Sequence, residues 1–348
     1  MSHDYKSVQW TPFKKRFDLW MLGGIAVYLV GFISITYLTQ PEGDSFTPIQ
    51  ALMRATGTLA FLLLTFILCI GPLARITDRF KPFLYNRRHL GVTTFLIALV
   101  HAALVVLWYH GFADINPLVS VFISNPRYDS LSGFPFEVLG VGALLIMFLM
   151  AATSHDFWNA NLGPGFWKAL HMGVYVAYAL LIAHIALGAI QFEKSPIYVV
   201  LLASGGTIVA ALHIATGLAS FGGAKKPEQD GWLIVARTGE MEDGRAKIIK
   251  PQSGEAIAVF LDGDKISAVS NVCRHQGGPL GEGKIVDGCI TCPWHGFQYR
   301  MEDGQSPPPF TEKIATYATR IVDGTIYVNP EPNAPGTPQA PSHIGATT

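Results

Sequence analysis

Four residues near the C-terminal end have the types and spacing of a metal site. One residue separates Cys273 from His275, two separate Cys292 from His295, and sixteen lie between the pairs. Two thiolates and two neutral imidazoles suit either a zinc ion or a [2Fe–2S] cluster with two Cys on one iron and two His on the other. Zinc sites usually place about two to four residues between paired cysteines, so the Cys-x-His spacing favours the cluster.

Glycine and proline follow both ligand pairs, and they let tight loops bring backbone N–H groups close to the cluster sulfurs. The run Cys-Arg-His-Gln-Gly-Gly-Pro-Leu covers 273–280, and Cys-Pro-Trp-His-Gly-Phe-Gln-Tyr covers 292–299. Both runs resemble the loops of the Rieske ferredoxin family, and the resemblance covers residues 231–330. It implies a [2Fe–2S] cluster held by Cys273, His275, Cys292 and His295.

Three positions differ from the respiratory Rieske proteins. Gly278 and Trp294 stand where those proteins carry a disulfide between the loops, and Phe297 stands where they carry a serine. Fewer hydrogen-bond donors to the cluster predict a low reduction potential, nearer to about −150 mV than to about +300 mV. A site without a disulfide also suits a reducing cytoplasm. Cys289 is expected to be an ordinary strand thiol, with a role as an alternative ligand as the minor interpretation.

The residues around these ligands have the pattern of a small antiparallel all-β domain over 231–330. Short β-like runs alternate with Gly and Asp, as in Ile257–Leu261, an Asp-Gly-Asp turn and then Ile266–Val269. Residues 219–230 are expected to form a polar linker. Residues 331–348 are rich in Pro, Ala, Ser and Thr, and this composition predicts a disordered tail.

The rest of the chain is too apolar for a soluble domain. Half of all residues are hydrophobic, 14% are charged and the mean hydropathy is +0.32, whereas soluble chains have about 25% charged residues. Six apolar stretches are long enough to cross a bilayer as helices, at 19–38, 48–71, 90–110, 135–153, 168–190 and 197–218. We therefore expect a six-helix transmembrane domain over 19–218, in contact with lipid. The net charge of zero argues against a nucleic-acid partner.

The placement of Lys and Arg predicts an orientation. These residues are frequent in segment 1–18, in the loop after the second stretch, and after the sixth stretch. On the opposite side, only Arg127 and Lys194 occur in the loops. The positive-inside rule then places both termini and the β-domain in the cytoplasm. We expect an integral protein of a bacterial inner membrane.

Histidines inside the apolar stretches predict a second redox site, because ionisable side chains are rare there and usually functional. The third stretch contains His101, and the fifth contains His171 and His184. At about 1.5 Å per residue, His101 and His184 reach the outer half, whereas His171 lies about 20 Å nearer the cytoplasm. Several histidines without acidic partners favour bis-histidine haem. His89 and His213 are candidates beside His171, with an interfacial or hydrogen-bonded core histidine as the alternative for each.

Residues 48–190 resemble the ferric-reductase-like transmembrane family, and within it the haem-binding membrane subunits of bacterial methionine sulfoxide reductase systems. The resemblance is carried by Arg54-Ala55-Thr56-Gly57, by Arg87-Arg88-His89-Leu90-Gly91 and by the segment from Trp167 to His184. It implies one or two b-type haems, with ligands at His101, His171 and His184. We expect Arg54 to meet a haem propionate, with a membrane-interface anchor as the alternative.

These parts predict a transmembrane electron carrier and a component of an oxidoreductase. A cytoplasmic donor would reduce the cluster, and electrons would pass through haem b to a quinone, a metal ion or a periplasmic acceptor. No Gly-x-Gly-x-x-Gly occurs in a strand–helix context, so no nicotinamide site is predicted. The alternative is a non-catalytic electron-transfer subunit that serves a separate reductase. About one hundred residues of soluble domain leave no room for the mononuclear iron domain of a Rieske oxygenase.

Overall fold

The structure, a computed structural model, describes most of the chain in two compact units, one helical and one built mainly from β-strands. The described residues are 12–39, 47–112, 114–155, 158, 162, 164–192, 195–221, 224–225, 231–275, 277–293, 296–308 and 310–345. The predicted linker 219–230 lies largely outside them.

The helical unit follows the apolar stretches. Among the described residues its helices are α1 (Pro12–Leu38), α2 (Pro48–Ile76), α3 (Lys81–Tyr85), α4 (Arg87–Val105), α5 (Pro117–Ile123), α6 (Phe136–Ala152), α7 (Pro164–His171), α8 (Gly173–Leu187), α9 (Ala189–Phe192) and α10 (Pro196–Phe221). A π-helical turn, Val106–His110, extends α4.

Five segments in the described part of the chain are long and apolar enough to cross a membrane: Lys14–Leu38, Pro48–Ile76, Arg87–His110, Phe166–Gln191 and Pro196–Leu218. A sixth helix, α6, is also apolar but has 17 residues, which is about 26 Å of helix. These six correspond to the six predicted spans, and the protein is an integral membrane protein. Large apolar side chains such as Leu19 and Ile214 stay exposed on the helices, as lipid contact requires.

Two helix pairs form the centre of this unit: α2 packs against α4, and α6 packs against α8. The buried side chains shared between them and α10 form one apolar core, which contains Phe61, Leu64, Leu68, Cys69, Ala143, Met147, Ala177, Tyr178 and Val209. Within it, the Tyr178 hydroxyl and Thr65 Oγ1 are 2.9 Å apart, so the polar end of the tyrosine is satisfied inside the bundle.

The start of α2 is set by a capping box. Thr47 Oγ1 accepts a hydrogen bond from the Gln50 backbone N–H, and Gln50 Oε1 accepts one from the Thr47 backbone N–H. This arrangement satisfies two backbone donors that the helix itself leaves unpaired. It also fixes where α2 begins, and therefore the height at which Met53 and Arg54 lie along the bundle.

The β unit is antiparallel almost throughout, as predicted. Its described strands are β1 (Ala224–Lys225), β2 (Leu233–Arg237), β3 (Ala246–Pro251), β4 (Ile257–Asp262), β5 (Lys265–Ser270), β6 (Lys284–Val286), β7 (Cys289–Thr291), β8 (Gln298–Arg300), β9 (Thr316–Tyr317), β10 (Thr319–Val322), β11 (Thr325–Val328) and β12 (Ser342–His343). The β4–β5 hairpin closes at the predicted Asp-Gly-Asp turn, with Asp262 opposite Lys265.

Three sheets divide this unit into a core and a smaller cap. One sheet has the order β1-β3-β4-β5-β12 with β9 also on β5, a second has β10-β11-β2, and the third has β6-β7-β8. The first two sheets enclose Leu233, Ile257, Ile266 and Ile326. The three-stranded β6-β7-β8 sheet carries the loop with Cys292, so a separate small sheet holds half of the predicted cluster site.

The expected disorder of the tail is wrong for residues 331–345. Strand β12 pairs with β5, and the backbone N–H groups of Asn333, Gly336 and Gln339 donate to carbonyls of the β unit. Ile344 packs against the buried core. A composition poor in large apolar residues concealed this because most of the attachment is through backbone hydrogen bonds, which leave no hydrophobic pattern. Residues 346–348 lie outside the described part.

Hydrogen exchange of the intact protein tests the attached tail. We expect protected amides at Asn333, Gly336, Gln339 and Ile344, because each donates to a backbone carbonyl. Asp264→Asn removes the carboxylate that contacts His343 Nδ1 at 2.7 Å, an ion pair when the imidazole is protonated, and should speed exchange at Ile344 about two- to fivefold, the scale of a surface ion pair. Asp262→Asn is the matched control. Unprotected exchange at all four amides in the wild type would contradict the attachment.

Candidate redox sites

The two loops that carry the predicted cluster ligands are built in the same way. In the first loop, Cys273 N–H donates to Gly278 O and Cys273 O accepts from Gly277 N–H. In the second, Cys292 N–H donates to Phe297 O and Cys292 O accepts from Gly296 N–H. Each turn ends on a glycine with positive φ, +70° at Gly277 and +73° at Gly296. A side chain there would be strained, so the Gly after each Cys-His pair is a backbone requirement.

Both cysteines have the environment of a buried metal ligand. Cys273 is 1% exposed, Cys292 is 2% exposed, and both belong to one buried cluster with Leu280, Ile290 and Tyr299. Neither cysteine forms a disulfide with another described cysteine. Sulfur donors held in an apolar surrounding, one from each loop, fit the Cys half of a [2Fe–2S] site.

Tyr299 adds a hydrogen bond to this site. Its side chain is fully buried, and its hydroxyl oxygen accepts the Arg274 backbone N–H at 2.9 Å. The same oxygen lies 3.5 Å from Cys273 Sγ. Burial raises the pKa of Tyr299, and the charge of the neighbouring Cys273 raises it further. The hydroxyl therefore keeps its proton and donates it toward the sulfur.

The histidine half of the site is described only in part. The His275 ring stacks on Phe297, with ring centroids 5.1 Å apart and planes 6° from parallel. Phe297, which replaces the serine of respiratory proteins, thus holds the orientation of one predicted ligand. His295 and Trp294 lie outside the described residues. Within the described ranges no three His, Cys, Asp or Glu side chains form a metal-binding group, and Cys289 lies in β7, as expected for a strand thiol.

In the helical unit, His101 and His184 are held in matching ways. His101 on α4 donates from Nδ1 to the Met53 carbonyl on α2 at 2.9 Å. His184 on α8 donates from Nδ1 to the Phe136 carbonyl on α6 at 2.8 Å. Donor and acceptor are 48 residues apart in both cases. A carbonyl can only accept, so Nδ1 carries the proton in each ring and Nε2 is left as the lone-pair nitrogen.

Both rings line one cavity of about 550 Å³ between the helix pairs. Its wall is mainly apolar and includes Phe61, Ala98, Met147 and Leu181, with Arg54 among its few charged residues. The volume is within the range of small-molecule sites. Among the residues the structure describes, neither Nε2 has a hydrogen-bond partner. Two available imidazole nitrogens, an apolar wall and an arginine fit a haem with its two axial positions and its anionic propionates.

The other predicted histidines are placed differently. His89 Nδ1 contacts both carboxylate oxygens of Asp18, at 2.7 and 2.9 Å. His213 uses both nitrogens, Nε2 to the Leu68 carbonyl at 3.0 Å and Nδ1 to the Tyr175 hydroxyl at 3.5 Å. His213 therefore matches the alternative interpretation of a satisfied core histidine.

His171 is the remaining candidate. Its Nδ1 donates to the Trp167 carbonyl one turn earlier at 2.9 Å, and the two rings stack with centroids 3.8 Å apart. Its Nε2 is buried and has no partner among the described residues. Arg87 and Arg88 lie close enough to act on its charge. His171 thus stays available for a ligand, in a more cationic setting than His101 and His184.

Sequence reasoning missed the carbonyl groups of Met53 and Phe136 that orient the two histidines. His110, at the outer end of the third stretch, was not among the predicted ligands; it is 5% exposed on the π-helical turn and bonds Ser120 Oγ of α5 through Nδ1 at 2.9 Å. Backbone acceptors leave no trace in residue types. His110 had a signal, because it lies at the end of the third stretch, but a single histidine there resembles an interfacial one.

Comparisons with known proteins identify both units. Residues 56–182 match the ferric reductase like transmembrane component, and residues 231–318 match the Rieske [2Fe-2S] domain. A protein-methionine-sulfoxide reductase heme-binding subunit, MsrQ, from Herminiimonas arsenicoxydans is 32% identical over 197 residues, which are 55% of this chain and 80% of the relative. This chain belongs to the ferric-reductase-like transmembrane family. It carries a Rieske domain at its C-terminal side, as the two loops predicted.

Relatives of the second unit include ferredoxins. The anthranilate 1,2-dioxygenase ferredoxin subunit of Burkholderia cepacia is 40% identical over 74 residues, 21% of this chain and 68% of the relative. Among solved structures, a chain from the complex of reduced oxygenase and oxidized ferredoxin in carbazole 1,9a-dioxygenase has 26% identity and a TM-score of 0.29, covering 30% of this chain and 97% of that chain. A ferric-reductase-like membrane domain joined to a Rieske domain makes this chain a membrane electron-transfer protein.

Tyr299→Phe tests the hydrogen bond to Cys273. The bond stabilises the more negative, reduced cluster, so its loss should lower the midpoint potential. A net hydrogen bond of about 1–1.5 kcal/mol corresponds to about 40–65 mV for a one-electron couple. The potential is read by EPR-monitored redox titration of the full-length protein. Tyr317→Phe, at a tyrosine 3% exposed in the other core cluster, should leave it unchanged, and an equal shift in both variants would disprove the assignment.

Proposed function

We propose that this protein carries electrons across the membrane one at a time, from a cytoplasmic donor through the Rieske cluster to haem b and on to an acceptor. The acceptor class is a quinone, a metal ion or a periplasmic protein. In this proposal Cys273, His275, Cys292 and His295 hold the cluster, and His101 and His184 hold a haem. The bound groups supply the redox chemistry, and the chain supplies their placement and surroundings.

The observation that carries the haem assignment is the matched pair of imidazoles on one cavity. Each ring has its proton fixed on Nδ1 by a carbonyl of the neighbouring helix, so each offers Nε2 without a change of tautomer. Metal-bound histidines characteristically donate their other N–H in this way. Arg54, on the same cavity wall, supplies the cation that haem propionates need.

We further propose a single bis-histidine haem. His213 has both nitrogens engaged, and His89, whose Nδ1 contacts the Asp18 carboxylate, does not line the cavity that His101 and His184 share. His171 keeps an available Nε2, but Arg87 and Arg88 lie near it, and it does not line the cavity of His101 and His184. The sequence also allows a second haem with His171 as a ligand. Measuring the number of haems per protein distinguishes this alternative from a single haem.

The distribution of Lys and Arg supports a cytoplasmic position for the β unit and for both termini. A site with two buried thiols and no disulfide suits that compartment. Phe297 occupies the position at which respiratory Rieske proteins have a serine, so the Tyr299 hydroxyl is the side-chain donor near Cys273 Sγ among the described residues. This supports a reduction potential in the lower part of the Rieske range. Such a cluster is suited to accept electrons from a cytoplasmic donor and to reduce a haem of higher potential.

A second candidate function is a non-catalytic subunit that serves a separate reductase. The relative from Herminiimonas arsenicoxydans supports it, because its name describes a heme-binding subunit of a protein-methionine-sulfoxide reductase. In that case the purified chain would be reduced by a donor but would not turn over quinones or ferric chelates. Steady-state assays with these two acceptors separate the alternatives, since turnover with either supports an independent reductase.

Replacing either proposed haem ligand tests the central assignment. His101→Ala and His184→Ala should each lose at least about nine-tenths of the haem, since one axial ligand holds a b-type haem poorly. The reduced-minus-oxidised spectrum measures haem, and the cluster EPR signal should persist in both. His213→Ala is the matched control in a membrane helix and should retain haem. Full haem in both ligand variants would overturn the proposal.

Haem stoichiometry tests the single-haem proposal independently. The pyridine haemochrome, divided by the cluster content from EPR spin counting, should give one haem b per [2Fe–2S] in the detergent-purified protein. His171→Ala should leave this ratio unchanged, because the proposed haem does not use that residue. A ratio of two that falls to one in His171→Ala would instead assign a second haem to the inner histidine.

A further inference from the structure

Two glycines, one in each helix pair, lie directly against the two cavity histidines. A Cβ built on Gly57 of α2 would be 2.8 Å from His101 Cε1 and 3.0 Å from its Nδ1. A Cβ built on Gly140 of α6 would be 2.9 Å from both Cε1 and Nδ1 of His184. Real Cβ atoms do not approach other heavy atoms this closely, so any other residue at either position would displace the ring.

The position of each glycine follows from helix geometry. Gly57 is four residues after Met53, and Gly140 is four residues after Phe136, the residues whose carbonyls accept the imidazole N–H groups. In an α-helix the carbonyl of residue i points toward the N–H of residue i+4. A ring that reaches this carbonyl from the side must therefore pass over residue i+4. Only glycine leaves the space for that approach.

The same arrangement occurs twice, on different helices and with the same 48-residue separation between donor and acceptor. The His101 imidazole of α4 lies over Gly57 and donates to the carbonyl one turn earlier on α2. The His184 imidazole of α8 lies over Gly140 and donates to the carbonyl one turn earlier on α6. A chance close contact would not reproduce the atom pair, the helix position and the hydrogen bond together. The repetition indicates that the glycine and the carbonyl act as one unit.

We infer that Gly57 and Gly140 are positioning residues for the haem ligands His101 and His184. Each glycine admits its imidazole to a helix carbonyl, and this contact fixes both the ring orientation and the tautomer with Nε2 toward the cavity. The inference rests on the proposed function only in taking the two histidines as haem ligands. It adds that the ligands are held in place by α2 and α6 through backbone contacts that no side-chain substitution on those helices could replace.

Other glycines in the membrane helices provide controls. Gly71 of α2 has nothing within 4 Å of its built Cβ, and Gly142 of α6 meets only Leu180 Cδ1 at 3.4 Å. Alanine at either should be neutral or stabilising because it favours helix. Gly205 of α10 is a packing control, since its Cβ would be 2.9 Å from Phe61 and touches no histidine.

A double-mutant cycle in the full-length protein, purified in detergent, tests the inference. Gly57→Ala should lower haem content at least about threefold or, in the protein that retains haem, change the low-spin EPR g-values. It should also lower the thermal midpoint by several degrees. In the His101→Ala background the same substitution should no longer lower the midpoint, because the ring it displaces is gone. Gly140→Ala should likewise lower the thermal midpoint in the wild type but not in the His184→Ala background. In the His101→Ala background it should still lower the midpoint.

The outcomes separate this inference from the proposed function. Haem retained in His101→Ala overturns the ligand assignment, while the thermal cycle still reports whether Gly57 acts through that ring. Loss of stability from Gly57→Ala in both backgrounds, as expected for Gly205→Ala, would show ordinary helix packing and overturn the inference. So would wild-type haem content, EPR and thermal midpoint in both Gly57→Ala and Gly140→Ala. The cluster EPR signal checks in every variant that the protein has folded.

Discussion

A hydrogen bond from an imidazole N–H to the carbonyl of a neighbouring helix is the interaction on which the membrane unit depends. Inside a bilayer a polar ring has no water to satisfy it, so each of its nitrogens needs a partner or a ligand. The bonds from His101 to Met53 and from His184 to Phe136 satisfy Nδ1 of each ring and leave Nε2 without a partner among the described residues, in two rings that line one cavity. They also join α2 to α4 and α6 to α8, so the same contacts pair the helices and orient the proposed haem ligands.

The Rieske unit solves the same problem with different means. The proposed cluster ligands come from two separate short loops, and both cysteines are buried in apolar surroundings. Matching backbone bonds at Cys273 and Cys292, each closed by a glycine with positive φ, give both loops one conformation. Tyr299 then ties the first loop to β8 through Arg274 N–H and the Cys273 sulfur. In both units, backbone groups help to place the proposed ligands, through helix carbonyls at His101 and His184 and through loop hydrogen bonds at Cys273 and Cys292.

This preference for backbone partners separates the proposed ligands from other histidines. A histidine whose two nitrogens bond protein groups, such as His213, has no coordination left to offer. One that uses a single nitrogen on a carbonyl, such as His101 or His184, keeps a defined lone pair and a defined direction. His171 has the same protonation pattern within its own helix, but its arginine neighbours give it a different electrostatic setting. The distinction between proposed ligands and other histidines depends on contacts between helices. The number of histidines in each span does not reveal those contacts.

Sequence alone determined the parts whose signal is local: the two ligand loops, the six apolar stretches and the antiparallel β pattern. Those features are encoded in neighbouring residues, and the family comparisons confirm the two domains. Only the tertiary structure decided which histidines share a cavity, that Asp18 holds His89, and that residues 331–345 attach to the β unit. These depend on backbone acceptors and on partners far apart in the chain, so residue type and spacing do not encode them. Gly57 and Gly140 are visible in the sequence, but only the packing of His101 and His184 against them explains why these positions need glycine.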